Sequence, residues 1–190
     1  MKSDRVYVTA FAVFAALIVS AGDVASDIEI TGVRNVEVPE SETWTYSGSV
    51  SGSGSILKSG KGKLVLGNAN TFSGGVSITN GVIEVAEQGA LGSGSLNIVN
   101  ASGTPHVSVK FTKRDATVDN DIRLQNNVSN ADNNNPHVHI FENTTLAGDI
   151  RSYANTFYMG NVNRNRNSIA DAYPTNTVTG SLWVYGTRGL

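Results

Sequence analysis

The chain has 190 residues, 39% of them hydrophobic and 16% charged, with 20 glycines and no cysteine. That is enough apolar material for one ordinary folded unit and too little length for two large ones. The lack of cysteine excludes a disulfide framework, a thiolate metal site and a cysteine nucleophile, and a net charge of −2 without a basic block excludes the electrostatic footprint of a nucleic-acid binder.

At the N-terminus, Lys2 and Arg5 precede an uncharged apolar run from Val6 to Ala21 with small residues near its end. This order predicts a secretory signal peptide over residues 1–21, the run being on the short side of the roughly 17–25 residues that span a bilayer. Removing it takes away Lys2, Asp4 and Arg5 and leaves 12 basic against 15 acidic residues, a charge of −3. Residues 22–47 are expected to form an N-terminal strand pair and cap. Apolar and polar residues alternate around Gly32 from Asp27 to Val38, and Pro39 ends the pair. Trp44 and Tyr46 lie two apart, hence on one side of an extended chain, where they would shield the open end of a stack.

Residues 48–99 carry the strongest pattern. Short β-favouring pieces (Ser55 to Lys58, Lys63 to Leu66, Val76 to Thr79, Val82 to Val85) alternate with Gly, Asn and Ser turns, and none is long enough for a substantial helix. Within Leu64-Val65-Leu66 the two leucines point one way and the valine the other, so both faces call for stacking or burial. Gly60, Gly62, Gly67, Gly74, Gly75 and Gly81 are placed to take positive φ at corners. Strands this short cannot bury enough surface singly, so they are expected to stack as coils of about 20 residues, each covering its neighbour's apolar row. The series Leu57, Ile78, Ile98, Val118, Val138, Tyr158 and Val178, spaced by 21 and then by 20 residues, is the proposed register of that stack.

These residues also resemble a known family. Gly52, Gly54, Leu57, Lys58, Gly60, Gly62, Leu64, Leu66, Gly67, Asn68, Asn70, Thr71, Phe72, Gly74, Gly75, Ile78, Gly81 and Val82 are similar, in order, to the autotransporter-associated β-strand repeat, also called the passenger-associated transport repeat. The resemblance covers about a quarter of the chain. It implies an all-β fold, a right-handed parallel β-helix (β-solenoid), in a secreted or cell-surface passenger whose repeat is associated with efficient export and folding. Partners implied are the export machinery and a surface glycan or host protein. The sequence shows no C-terminal run of alternating barrel strands, so membrane contact is expected only through a barrel that this chain does not carry.

Residues 100–190 read as further, less regular coils. Val107 to Phe111, Val138 to Phe141, Leu146 to Ile150, Thr156 to Met159 and Thr177 to Tyr185 suit strands between Asn-rich loops at 126–136 and 161–167. Three candidate sites stand out. His137 and His139 would lie on one strand face, with Glu142 or His106 as a third metal ligand, although two surface histidines explain the pair equally well. Lys110, Lys113, Arg114, Asp115, Asp119, Asp121 and Arg123 form the densest charged patch, the best enzymatic candidate as a calcium-dependent polysaccharide lyase site, although alternating charges on solvent-facing strand positions give the same pattern with no chemistry. Tyr153, Phe157 and Tyr158 are candidate glycan contacts. Gly60-Lys61-Gly62-Lys63 lacks the spacing of a phosphate loop, no GxSxG elbow occurs, and sequons at Asn100, Asn127 and Asn143 are expected by chance in this composition. No catalytic residue, cofactor or metal is assigned. The expected function is a structural, transport-associated passenger module, with an adhesin or glycan-binding module as the alternative.

Overall fold

A computed structural model of the chain describes residues 23–100, 107–126, 137–140, 143–153, 158–161 and 176–185. The expected signal peptide lies outside them, as do His106, Glu142, Phe157 and Asn127. Every described element is a strand, every strand pair is parallel, and successive strands stack as coils of a β-solenoid.

The first coil holds β1 (Ile28–Glu29), β2 (Val33–Glu37) and β3 (Thr43–Tyr46), and the second holds β4 (Val50–Ser51), β5 (Ser55–Ser59) and β6 (Lys63–Leu66). The third has β7 (Val76–Ile78) and β8 (Val82–Val85), the fourth β9 (Leu96–Asn100) and β10 (Ser108–Phe111). The fifth has β11 (Thr117–Val118), β12 (Ile122–Asn126) and β13 (His137–Ile140), and the sixth β14 (Thr145–Leu146), β15 (Ile150–Ser152) and β16 (Tyr158–Asn161). The seventh has β17 (Thr177–Val178) and β18 (Leu182–Val184). One face is a seven-stranded sheet ordered β2-β5-β7-β9-β12-β15-β18, and a second is six-stranded, β3-β6-β8-β10-β13-β16. The third face has strands only near its ends, β1-β4 and β11-β14-β17. Between them backbone bonds carry the stack on, Thr71 donating to the Val50 carbonyl at 2.9 Å and Ser93 to that of Phe72 at 3.0 Å.

Period-2 alternation explains the core. In the seven-stranded sheet, Ile56, Val76, Leu96, Ile122 and Ile150 pair in register and form one buried row. Val36, Lys58, Ile78, Ile98, Leu124 and Ser152 form a second. The six-stranded sheet adds Trp44, Leu64, Ile83, Val109 and Val138. Each coil covers its neighbour's apolar row, so burial is continuous even though no strand exceeds five residues.

Several expectations need correction. β1 and β2 both exist but do not pair with each other: β1 pairs with β4 and β2 with β5, because parallel coils put hydrogen-bond partners one turn away. Trp44 and Tyr46 do lie in the first coil, both buried on the terminal strand of the six-stranded sheet, with Val24 bridging to Tyr46 beyond it. The constant 20-residue series fails. Ile78 and Ile98 are true register partners, but Leu57 pairs with Ser77, while Val118, Val138 and Val178 belong to other sheets. Coil length is not constant. Val33 pairs with Ser55, a step of 22, and Ile56, Val76 and Leu96 follow at steps of 20, whereas Leu96, Ile122, Ile150 and Leu182 are separated by 26, 28 and 32 residues.

Candidate functional site

The repeat region is organised around a buried lysine. Lys58 points inward from β5, fully buried in the row between Val36 and Ile78. Its ammonium donates to three carbonyls: Ser59 at 2.8 Å, Gly60 at 2.7 Å and Asn80 at 3.0 Å. Three donors meet three acceptors, so the cation is satisfied and also closes two successive corners, β5–β6 in its own coil and β7–β8 in the next. Burial lowers the Lys58 pKa to about 8. Leu57, by contrast, faces outward and is half-buried. The buried Asn70 spans the third face, accepting from the Val50 amide at 2.7 Å and donating to the Ala90 carbonyl at 2.6 Å, which ties three coils together. Glycines of the repeat serve two ends. Gly81 has φ of 74°, and a Cβ there would lie 2.5 Å from the Gly62 carbonyl oxygen. Gly60 and Gly75 also take positive φ, whereas Gly62, Gly67 and Gly74 do not; Gly62 and Gly74 instead make room for neighbouring backbone.

The histidine pair is real as a pair. His137 and His139 stack with ring centroids 5.8 Å apart on β13, and Lys110 of β10 is the register neighbour of His139. Burial first, and then the Lys110 charge, lower the His139 pKa, a setting that disfavours a second positive charge. No group of three metal-ligating side chains occurs among the described residues.

The charged patch does not converge. Lys110 sits on the six-stranded sheet, while Asp121 and Arg123 flank and occupy β12 on the seven-stranded sheet. Lys113 pairs with Glu87 at 2.8 Å and Asp115 accepts from Asn143 at 2.9 Å on the turn between them. Residues contiguous in sequence are thus spread around the coil, and the candidate lyase-like patch is not gathered into one centre. Lys113 and Glu87 rim a cavity of about 120 Å³ floored by Val85, Leu91, Phe111 and Ala116, where the coils begin to lengthen. That is well under the roughly 300 Å³ of ordinary small-molecule pockets.

A different cluster emerges on the outer face of the seven-stranded sheet in coils five to seven. Arg151 of β15 is held between Asp121 at 3.0 Å and Asp149 at 2.9 Å, and the Asp121 carboxylate keeps its guanidinium more firmly protonated than usual. Next to it Tyr153 stacks on Tyr185 of the following coil, centroids 4.9 Å apart and planes 7° from parallel. Arg123 and Trp183 are the register neighbours of Arg151 on either side. Of the candidate glycan contacts only Tyr153 has a described side chain here. Tyr185 and Trp183 were not singled out by sequence reasoning, because the 32-residue step that brings β18 onto β15 has no counterpart in the repeat.

With this frame in place, the likeness of residues 56–85 to known repeats becomes decisive. The family model described as passenger-associated-transport-repeat matches that segment. Residues 56–85 are similar to that repeat. A stretch of 61 residues is also 44% identical to the adhesin BmaC autotransporter of Brucella suis biovar 1 (strain 1330), covering 32% of this chain and 2% of that protein. The chain therefore corresponds to a small fraction of its relative's length. Within the match, the repeat's lysine is the buried Lys58, and its alternating leucines, Leu64 and Leu66, are the inward face of β6.

Proposed function

We propose that this chain is a non-catalytic structural segment of a secreted or cell-surface autotransporter passenger. The observation that carries the reading is the transport repeat at residues 56–85, folded as in-register coils with its lysine and asparagine linking one coil to the next. Stacked parallel coils fold progressively, since each finished coil offers an edge whose unpaired backbone groups template the next. Folding of this kind on the far side of a membrane biases translocation outward, which gives the repeat a physical role in export without any chemical step. Support for a surface location comes from the relative, which is an autotransporter adhesin. Expression of the full chain in a Gram-negative host tests this reading: the protein is expected outside the cytoplasm with residues 1–21 removed. Retention of the uncleaved chain in the cytoplasm would sink it. Calcium-dependent cleavage of a polyuronate that is lost in Asp119→Ala would overturn the non-catalytic part.

A further inference from the structure

The outer face of the seven-stranded sheet changes character along the stack. In coils two to four its outward strand positions are Ser55, Leu57, Ser59, Ser77, Asn97 and Val99, none of them charged or aromatic. In coils five to seven register alignment builds a grid instead. One column runs Arg123, Arg151, Trp183; the next places Tyr153 beside Tyr185; the third places Asp121 beside Asp149, whose carboxylate accepts the Ser181 amide at 3.0 Å. Adjacent strands stand about 4.8 Å apart and alternate residues about 6.6 Å, so the grid covers on the order of 10 Å in each direction.

We infer that this grid is a binding site for a carboxylated glycan, the sugar packing against Trp183 and the outward edges of the stacked Tyr153–Tyr185 pair while Arg123 receives the carboxylate. Four observations carry it. Tyr153 is left 44% exposed although described coils lie on both sides of it, and Trp183 and Tyr185 of the last described coil bring two further large side chains beside it. Rings held parallel to each other are rigid, and rigid aromatics bind with little loss of side-chain entropy. Arg151 is already bound by two carboxylates, so it is fixed in place and electrically spent. Arg123, half-buried beside it, makes no ion pair among the described residues and keeps its planar, two-pronged donor set for a carboxylate from outside. Aromatic side chains suit the apolar C–H groups of sugars, and the spare guanidinium adds the requirement for acid. This inference deepens the passenger reading by naming what one face would hold.

The test uses the full folded chain on an array of uronate-bearing, sialate-bearing, sulfated and neutral oligosaccharides. Carboxylated glycans are expected to bind in preference to the other two classes. Arg123→Gln is expected to weaken that binding by about tenfold or more, and the Tyr153→Ala/Tyr185→Ala pair to abolish it. Both variants alter exposed or half-exposed positions, and an unchanged thermal midpoint confirms folding. No binding to carboxylated glycans, equal binding of neutral ones, preference for sulfate, or full binding by Arg123→Gln would each overturn the inference. Export of the chain is measured independently, so a failure on the array leaves the passenger reading standing.

Discussion

The two halves of the stack solve one packing problem with different amounts of chain. In the seven-stranded sheet coils two to four return to register every 20 residues, leaving only a few residues for the β5–β6 and β7–β8 corners. There the corners are closed from inside, by Lys58 on three carbonyls, by Asn70 on two neighbours and by glycines with positive φ. Coils five to seven use steps of 28 and 32 residues and set charged and aromatic groups on the outside; the fifth and sixth keep the same buried rows, while Leu182 and Val184, which continue them on the last described strand, are exposed. The difference separates what makes a coil from what a coil displays. Apolar rows and ladder bonds are common to both halves, whereas tight internal closure belongs to the transport repeat and the exposed cluster to the later coils.

Breaking the internal closure should have the largest effect. Lys58→Ala removes a buried side chain and strands the carbonyls of Ser59, Gly60 and Asn80, so a loss of about 3–5 kcal/mol is expected in urea denaturation. Lys110→Ala, the same deletion at a half-buried position of the fourth coil beside Glu84, should cost less than about 1 kcal/mol, because Lys63 already pairs with Glu84 at 2.9 Å. Equal losses would mean that the repeat's lysine is not special.

The same residue gives the early coils a pH signature. Lys58 holds its proton less tightly when folded, with a pKa of about 8 against 10.5 for an unburied lysine. Between those values the unfolded chain binds more protons than the folded one, so the contribution to stability rises with pH, and below about pH 8 the folded state carries the full cost of a buried cation. Urea midpoints of the wild type and Lys58→Met, compared at pH 7.5 and 9.5, should show a rise specific to the wild type. Parallel pH profiles would refute the assignment.

The asparagines come next and compare the halves directly. Asn70→Ala leaves a buried amide and a buried carbonyl without partners, and about 2 kcal/mol should be lost. Asn120, which donates to the Gly92 and Gly94 carbonyls at 3.0 and 2.7 Å, bridges the fourth and fifth coils but is only half-buried. Its alanine variant should cost about 1 kcal/mol, since water can replace the lost donor there. Chemical denaturation of both variants checks the ratio.

How much of this was legible follows from the same division. The repeat announced itself because Leu64 and Leu66 alternate between glycine corners, and strands so short have no use except in a stack. Lys58 was noticed only as a motif letter. A charged residue after Leu57 reads as solvent-facing, and nothing local shows that Ile56 and Lys58, rather than Leu57, face the core. Its register partner Ile78, 20 residues on, was the available signal. Past Ile98 the fixed spacing misled, because longer connections shift each strand by an amount that apolar periodicity does not encode. The same shifts scattered the charged run from Lys110 to Arg123 around the coil and assembled Tyr153, Trp183 and Tyr185 from positions that share no local pattern.

The smallest expected effect concerns whether charge also holds the later coils together. Arg151 bridges Asp121 of the preceding turn and Asp149 of its own, and its side chain is 30% exposed against 37% and 33% for the two carboxylates. Pairs this wet gain little, because water and salt screen the attraction and ordering the long side chain opposes it. The two aspartates also have a second task, accepting the backbone amides of Asp149 and Ser181 at 3.1 and 3.0 Å, which survives loss of the arginine. Arg151→Met keeps most of the apolar stem that packs on the sheet, so its stability should fall less than that of any variant above and change little with added salt. A double-mutant cycle with Asp121→Asn isolates the pair itself. A coupling as large as the loss in Asn70→Ala would show that the later coils replace internal closure with an external ionic clamp, and the division between making a coil and displaying on it would then no longer hold.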